Sequence, residues 1–319
     1  MSEITIGTRG SRLALRQAQQ ICDALSHDGT VHIKTIQTRG DTLQQMRLQD
    51  HLDKGFFTTE LEVALISGDV DVVVHSLKDL PTESTSELMI GAIPSRAAVA
   101  DVIVARPDVV IDSINQGSTQ FPLRQGSRVG TSAARRRALL KTLCPELTGV
   151  DLRGNVPTRV NRCRQGVVDA IVIAKAGLDR LQLDLSDLVV WSLDPTVWLP
   201  APGQGAIAVQ CRADDAAIQS RLAALNHSDT HQDVVIERTA LALLEGGCHS
   251  ACGAHVQRNN TQAKIQVGAD IDGRGWKTTH WTGQISQGQQ GVAVCVEALR
   301  TGVVPPMDQS TPWWVMETT

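Results

Sequence analysis

Short β-branched runs alternate, along the first hundred residues, with segments whose apolar residues recur at helical spacing. The run 4–8 predicts a strand, and Ser11 stands where it would cap the helix that follows. Apolar residues mark one face of that helix at Ala14, Ala18, Ile21, Cys22 and Leu25. Further strands are predicted over 31–37 and 70–74, and a helix over 58–66 that ends at Gly68. This alternation is typical of an α/β domain.

The same pattern restarts further along the chain. Strands are predicted over 101–105, 128–130, 148–152 and 170–174, and a helix over 134–143. These elements predict a second α/β domain. From about Asp214 helical segments dominate, followed by short strands around 265–271 and a helix near 292–299, which predicts a small α+β domain.

Two proline-containing segments indicate where the chain passes between domains. They are Pro94 and the segment Leu199-Pro-Ala-Pro-Gly-Gln-Gly205. We therefore expect domain 1 over 1–95 and 198–216, domain 2 over 96–197, and domain 3 over 217–319. The predicted fold class is α/β with an additional α+β domain at the C-terminus.

Composition argues against several classes of partner. The chain has 30 Lys and Arg against 34 Asp and Glu, a net charge of -4, so no overall basic field attracts a nucleic acid or an anionic membrane. Tyr is absent and aromatic residues make up 3%, so rings for stacking nucleic-acid bases are few. The N-terminus lacks the apolar core of a secretory signal, and the seven cysteines show no framework spacing. A cytoplasmic location with reduced thiols is expected.

One cysteine stands in a context that favours reactivity. Cys248 follows Gly246 and Gly247, beyond the helix pattern of 234–244, which predicts a thiol on an accessible loop. A buried, inert cysteine is one alternative. The other is a zinc site built from Cys248, His249, Cys252 and His255, although this compact spacing is not one of the usual ligand pairs of a structural zinc fold.

Polar and charged residues follow the predicted strands at their ends, where ligands gather in open α/β sheets. After 70–74 come His75, Ser76, Lys78 and Asp79. Arginines occupy comparable places at Arg9, Arg12, Arg135, Arg136, Arg137, Arg153 and Arg159. Because arginine forks bind carboxylates bidentately, these groups favour a polycarboxylate or a phosphate as the ligand. A solvated Lys78–Asp79 pair and surface arginines are the alternatives.

Seven strings resemble, in order, the signatures of the porphobilinogen deaminase family. They are Gly7-Thr-Arg9-Gly-Ser11, Thr38-Arg-Gly-Asp41, His75-Ser-Leu-Lys-Asp79-Leu-Pro81, Gly130-Thr-Ser132, Leu152-Arg-Gly-Asn-Val-Pro-Thr-Arg159, Leu199-Pro-Ala-Pro-Gly-Gln-Gly-Ala206 and Glu245-Gly-Gly-Cys248. The resemblance implies two periplasmic-binding-protein-like α/β domains around a cleft, and a small C-terminal α+β domain that carries Cys248. The region after about Gly253 has no comparable motif.

The resemblance also implies an activity. A transferase of this family condenses four porphobilinogen molecules head to tail, with loss of ammonia, on a dipyrromethane cofactor attached covalently through Cys248. Hydrolysis then releases the linear tetrapyrrole hydroxymethylbilane, a haem precursor. By the same resemblance we expect a monomer that hands its product to uroporphyrinogen III synthase and that uses no metal, nucleic acid or membrane. A non-catalytic protein that binds a carboxylated small molecule remains the alternative.

Site residues are expected by the same likeness. Asp79 and Lys78 are the expected catalytic residues, because a fixed carboxylate stabilises the cation left by loss of ammonia. The expected cofactor-binding residues are Cys248, Arg135, Arg136, Ser132, Lys78 and Asp79. The expected substrate-binding residues are Arg9, Ser11, Arg153, Arg159, Arg180 and Ser76.

The chain departs from the family pattern at three places. Lys54 is retained, but Thr59 stands where a second lysine is common. Ala251, followed by Cys252, stands where the family usually has a proline three residues after the cofactor cysteine. The pair Ala133-Ala134 replaces the common Ser-Leu.

Overall fold

The computed structural model describes residues 3–38, 58–83, 85–111, 120–244, 251–271, 273, 275–304 and 313–317. The chain forms two compact units. Unit 1 comprises Met1–Ala97 and Gly205–Gln232, and unit 2 comprises Ala98–Gln204 and Asp233–Thr319. The chain thus changes unit close to Pro94 and again within the segment 199–205. The division into three domains remains a prediction.

The strands are β1 Ile4–Thr8, β2 Val31–Thr35, β3 Val72–Ser76, β4 Leu88–Ala92, β5 Asp101–Ala105, β6 Arg128–Gly130, β7 Thr148–Val150, β8 Ala170–Ala174, β9 Val189–Leu193, β10 Ile207–Arg212, β11 Ala251–Asn259, β12 Gln262–Asp270, β13 Lys277–Gln284 and β14 Trp314–Met316. The helices are α1 Arg12–Leu25, α2 Thr59–Ile66, α3 Ala134–Leu143, α4 Val156–Arg164, α5 Lys175–Leu181, α6 Ala216–Ala223, α7 Ser228–Leu244 and α8 Gly288–Thr301. These mixed elements confirm the predicted α/β class.

Unit 1 is built on a five-stranded sheet in the order β2-β1-β3-β10-β4. β1 runs parallel to β2 and β3, whereas β10 runs antiparallel to β3 and β4. The helix α1 begins where the sequence predicts, because the Oγ atom of Ser11 accepts a hydrogen bond from the backbone N–H of Ala14 at 3.2 Å. Its apolar face, including Ala18 and Ile21, is buried in the same core as the strands of this sheet.

Unit 2 contains two sheets. A six-stranded sheet has the order β14-β9-β5-β8-β6-β7, and a three-stranded antiparallel sheet has the order β11-β12-β13. One core cluster joins the two sheets through Leu139 of α3, Leu193 of β9 and Ala251 of β11. A second cluster buries α7 and α8 against the three-stranded sheet. The boundary that the sequence predicts between domains 2 and 3 therefore falls inside unit 2.

The free edge of β11 is covered by a buried carboxylate and by the proline-rich segment. The N–H of Ala254 donates to the carbonyl of Pro200 at 3.1 Å, and the N–H of Val256 donates to Oε1 of Glu237 at 3.1 Å. Oε2 of Glu237 also accepts the N–H of Gly203 at 2.8 Å, and this side chain is fully buried. These hydrogen bonds satisfy backbone donors that an unpaired strand edge would leave exposed. Glu237 thereby connects α7 to β11 and to the segment 199–204.

The C-terminal end of the chain contributes an element that the sequence pattern does not predict. β14 pairs antiparallel with β9, and Trp313 just before it is buried. The ring of Trp313 stacks on Trp198 with centroids 5.7 Å apart and an interplanar angle of 13°. No helix in the described part of the chain has the length and apolar character needed to cross a membrane.

Candidate functional site

In unit 1 the expected site residues lie at one edge of the sheet. β1 and β3 are parallel neighbours, so Arg9 and Ser11 after β1 lie at the same edge as the residues that follow β3. Ser76 ends β3 and hydrogen bonds to Gln17 of α1, with Nε2 of Gln17 2.9 Å from Oγ of Ser76. The structure therefore brings Arg9, Ser11, Ser76, Lys78 and Asp79 to one region of unit 1.

Asp79 occupies the last position of a single 3-10 turn, Leu77–Asp79. The turn is held by its backbone, because the N–H of Leu77 donates to the carbonyl of Ala206 at 3.0 Å and the N–H of Leu80 donates to the carbonyl of Leu77 at 3.1 Å. The Asp79 side chain is exposed. Within the described residues its carboxylate forms neither an ion pair with Lys78 nor a capping hydrogen bond. Asp79 is thus a carboxylate on a fixed backbone that does not serve as an internal ion-pair partner.

His75, two residues before this turn, begins a series of three hydrogen-bonded side chains. Nε2 of His75 is 3.1 Å from Oε1 of Gln210, whose Nε2 donates to Oε1 of Glu62 at 3.0 Å. Since the amide oxygen of Gln210 is an acceptor, His75 carries a proton on Nε2. Burial lowers the pKa of His75 to about 4, and the positive charge of Arg9 acts in the same direction, whereas the hydrogen bond to Gln210 opposes it. His75 is therefore neutral at physiological pH.

A neutral, buried His75 predicts a loss of stability in acid. Above its ordinary pKa of 6.5 the imidazole is neutral in the folded and unfolded states, so it contributes no pH dependence. Between that value and about 4, only the unfolded chain takes up the proton, so the free energy of unfolding falls as the pH falls. Between pH 7 and pH 5, we expect the free energy of unfolding of the wild-type protein to fall by about 2 kcal/mol more than that of the His75→Asn variant. Urea unfolding at both pH values measures this difference, and equal losses in the two proteins would contradict it.

In unit 2 the arginine groups also lie at one sheet edge. β6 is parallel to β7 and β8, so the segments that follow these three strands begin at the same edge. They carry Ser132, Arg135, Arg136, Arg153, Arg159 and Arg180. β5 runs antiparallel to β8 with Asp101 opposite Ala174, so the first residue of β5 lies at this edge as well. The topology thereby brings a carboxylate to the start of α3.

Asp101 receives hydrogen bonds from two adjacent arginines of α3, Arg135 and Arg136. Nη2 of Arg135 donates to Oδ2 at 2.8 Å, and Arg136 forms a fork in which Nε donates to Oδ2 at 3.1 Å and Nη2 to Oδ1 at 2.7 Å. The side chains of Arg135 and Arg136 are 7% and 6% exposed, and Asp101 is fully buried. Burial lowers the pKa of Arg135, while Asp101 opposes this and Arg136 adds to it. For these two arginines, the alternative of a solvated surface side chain is wrong.

The other three arginines that the sequence assigns to the site in unit 2, Arg153, Arg159 and Arg180, are half-buried. Nε of Arg153 donates to Oδ2 of Asp151 at 3.2 Å, and Nε of Arg159 donates to the carbonyl of Gly154 at 2.7 Å. Gly154 has a φ of +107°, and a Cβ atom there would lie 2.9 Å from Cγ2 of Thr158, so this turn requires glycine. Burial lowers the pKa of Arg180. These contacts hold the arginines near the edge without enclosing them.

Cysteine environments differ sharply from the one predicted for Cys248. Cys22, Cys144, Cys163, Cys211, Cys252 and Cys295 are all buried. Burial raises the pKa of Cys163 and of Cys295 to about 11, and it also raises the pKa of Cys144 and Cys211. The thiolate is the nucleophilic form, so these four are poor nucleophiles. Cys248 lies outside the described residues, as do Lys54, Gly246, Gly247 and His249.

Two members of the alternative zinc set can be located. Cys252 and His255 stand three positions apart on β11, so their side chains point to opposite faces of the strand. Cys252 packs into the core of the three-stranded sheet, whereas Nδ1 of His255 lies 3.7 Å from Oε1 of Glu237. This geometry does not favour a shared metal ion.

Sequence reasoning missed the partners of the arginines. Asp101, Trp198 and Gln204 were not among the predicted site residues, although all three converge on the start of α3. A signal was present for Asp101, because it is a single charged residue at the start of the apolar run Asp101-Val-Ile-Val-Ala105. Gln204 lies within the string 199–206 but carries no chemistry that singles it out.

The sequence matches one family of known proteins over most of its length. The family model described as porphobilinogen deaminase, dipyromethane cofactor binding domain, matches residues 4–220. The porphobilinogen deaminase of Roseiflexus sp. (strain RS-1) is 42% identical over 278 residues, covering 85% of this chain and 87% of that protein. The porphobilinogen deaminase of Mycobacterium leprae (strain TN) is 44% identical over 273 residues, covering 85% of this chain and 80% of that protein. Among solved structures, a Salmonella typhimurium periplasmic binding protein with high arginine specificity matches with 12% identity and a TM-score of 0.39, covering 70% of this chain and 92% of that chain.

Proposed function

The chain belongs to the porphobilinogen deaminase family, and we propose from this premise that Asp79 is its catalytic carboxylate and that Arg135 and Arg136 hold carboxylates of its cofactor. The protein is a transferase of tetrapyrrole biosynthesis with a dipyrromethane cofactor. It condenses porphobilinogen molecules with loss of ammonia and releases hydroxymethylbilane.

The observation that carries the catalytic assignment is the exposed carboxylate of Asp79 at the sheet edge of unit 1. Loss of ammonia from an aminomethylpyrrole leaves positive charge spread over the ring and its methylene carbon. A carboxylate on a backbone that is already fixed stabilises this charge and accepts a pyrrole N–H without reorganising. Lys78, the neighbouring cation, offers an ammonium group to a substrate or cofactor carboxylate.

The donors of unit 2 fit a polycarboxylate cofactor. Arg135 and Arg136 carry two positive charges, whereas Asp101 between them supplies one negative charge, so the buried cluster retains a net positive charge. An anionic group near this cluster would balance it. The hydroxyl of half-buried Ser132, at the start of α3, adds a hydrogen-bond donor. When bound, the dipyrromethane supplies the pyrrole carbon to which the first substrate is joined, and we assign its attachment to Cys248.

The other assignments follow the same chemistry. Arg9, Ser11, Ser76, Arg153, Arg159 and Arg180 are proposed to bind the acetate and propionate groups of substrate, because they follow strand ends and carry cationic or hydroxyl donors. We also propose a three-domain organisation, a monomer in the cytoplasm, and transfer of the product to uroporphyrinogen III synthase.

Ammonia release tests the proposed function directly. Purified full-length protein incubated with porphobilinogen is expected to release four ammonia molecules for each tetrapyrrole formed, because each condensation expels one amino group. Ammonia and tetrapyrrole are measured in the same reaction. A chain that binds porphobilinogen but releases no ammonia would instead be a binding protein for a carboxylated small molecule.

A further inference from the structure

We propose that Asp101 is a positioning residue for the reaction: it holds Arg135 and Arg136 in the geometry in which they receive the cofactor. The proposal rests on the assignment of these arginines to cofactor carboxylates. It concerns a residue that touches neither substrate nor cofactor and acts through its two arginine partners.

Among the residues that the structure describes, four side chains donate five hydrogen bonds to the two oxygens of Asp101. Three come from the arginines, as described above. Nε1 of Trp198 donates to Oδ2 at 3.0 Å, and Nε2 of Gln204 donates to Oδ1 at 2.9 Å. A carboxylate with this many donors is fixed in position, so it also fixes the groups that donate to it. Asp101 is therefore the centre of the cluster.

The two arginines are held in different ways. Arg136 uses its Nε and Nη2 atoms in the fork to Asp101, and its Nη1 donates to the carbonyl of Val172 at 3.0 Å. In Arg135, Nη2 donates one hydrogen bond to Asp101, and Nη1 donates to the carbonyl of Leu199. Adjacent guanidinium groups repel each other, and a shared carboxylate between them offsets this repulsion. Without Asp101 the pair would separate or turn toward water.

Asp101 also links the arginines to the segment 199–204, with which the first part of unit 2 ends. Gln204 donates from Nε2 to the carbonyl of Val99 at 2.7 Å as well as to Asp101, and Leu199 accepts from Arg135. The ring of Trp198 is covered by Trp313, which immediately precedes the C-terminal strand. Side chains that are already ordered lose little conformational entropy when a ligand binds. The cluster therefore presents a preorganised cationic pair.

The test compares Asp101→Asn with a matched control, Asp169→Asn. Asp169 directly precedes β8, at the opposite end of that strand from the partner of Asp101, and it also pairs with two arginines: Arg128 at 3.1 Å and Arg106 at 3.5 Å. Each variant is purified as full-length protein, and its cofactor-loaded fraction is measured by intact mass beside a melting curve. We expect Asp101→Asn to lose about tenfold or more of its loading, and Asp169→Asn to load like wild type. Full loading of Asp101→Asn would overturn the proposal, and so would equal losses in both variants, because a merely structural carboxylate would behave that way.

A second variant tests the role of Asp101 without replacing Asp101 itself. Where Asp101→Asn does not fold, Trp198→Phe removes one donor to Asp101 and keeps an aromatic ring against Trp313. We expect this variant to fold and to load less cofactor than wild type, whereas wild-type loading would overturn the proposal.

Arg135→Leu distinguishes a wrong assignment of Arg135 to the cofactor from a wrong positioning role of Asp101. If Arg135→Leu loads fully, the assignment of Arg135 to the cofactor fails, and the role of Asp101 fails with it. If Arg135→Leu loses loading while Asp101→Asn keeps it, only the positioning role is wrong.

Discussion

Asp79→Asn is expected to lower kcat by about 10²- to 10³-fold, with little change in KM for porphobilinogen. The asparagine side chain keeps the shape of the carboxylate but loses its charge. A carboxylate that stabilises a developing cation acts more strongly in the transition state than in the ground state, so its loss lowers the rate more than it weakens binding. Because Asp79 is exposed and forms no ion pair within the described residues, the thermal stability of the variant should remain near that of wild type.

Single-turnover ammonia release, measured beside a melting curve, checks this expectation. Asp79→Glu restores the charge at a longer reach and should be partly active. Asp69→Asn is a matched control, because Asp69 is an exposed carboxylate of unit 1 that precedes β3 at the opposite end of that strand. It should release ammonia at the wild-type rate. A melting temperature that falls enough to explain the lost activity of Asp79→Asn would refute the catalytic role.

Cys248→Ser is expected to abolish both cofactor attachment and turnover. A thioether forms from a thiolate, and a serine hydroxyl supplies no comparable nucleophile at neutral pH. The other six cysteines are buried, and burial raises the pKa of four of them, so none is expected to replace Cys248. The variant should therefore be purified at its unmodified sequence mass and should form no tetrapyrrole.

Cys252→Ser is the matched control for this prediction. Cys252 is the next cysteine along the chain, but it lies in β11 with 7% of its surface exposed. Its replacement should cost some stability, because a hydroxyl replaces an apolar group in the core, and should leave the adduct in place. An adduct that maps to Cys252 in the wild-type protein would show that the attachment site is wrong, although the chemistry would be unchanged.

Local pattern predicted the elements whose boundaries depend on their own residues. β5, β6, β8 and α3 begin and end where the sequence indicates, because each is an apolar run or a helical repeat with clear ends. β10 was not predicted, since its place between β3 and β4 depends on antiparallel pairing with strands more than a hundred residues earlier. β14 was missed for the same reason, because it exists by pairing with β9.

The sequence indicates which strand ends carry the candidate site residues, but it does not indicate the contacts between them. The rule that ligands gather at strand ends indicates Asp79 and the arginines as candidates, and the structure places them at the sheet edges of their units. It could not tell that Arg135 and Arg136 are buried, because their partner Asp101 precedes them by more than thirty residues and meets them only through the register of β5 with β8. The burial of Glu237 was also not predicted. A carboxylate within a helical pattern is normally expected to be solvated, and the backbone N–H groups that Glu237 accepts lie outside its own helix.

The intact mass of the native full-length protein shows directly whether the dipyrromethane cofactor is attached covalently. We expect a mass above that of the sequence by one linked pair of pyrroles, carried on the peptide that contains Cys248. An active protein whose mass equals that of its unmodified sequence would show that no covalent cofactor is required.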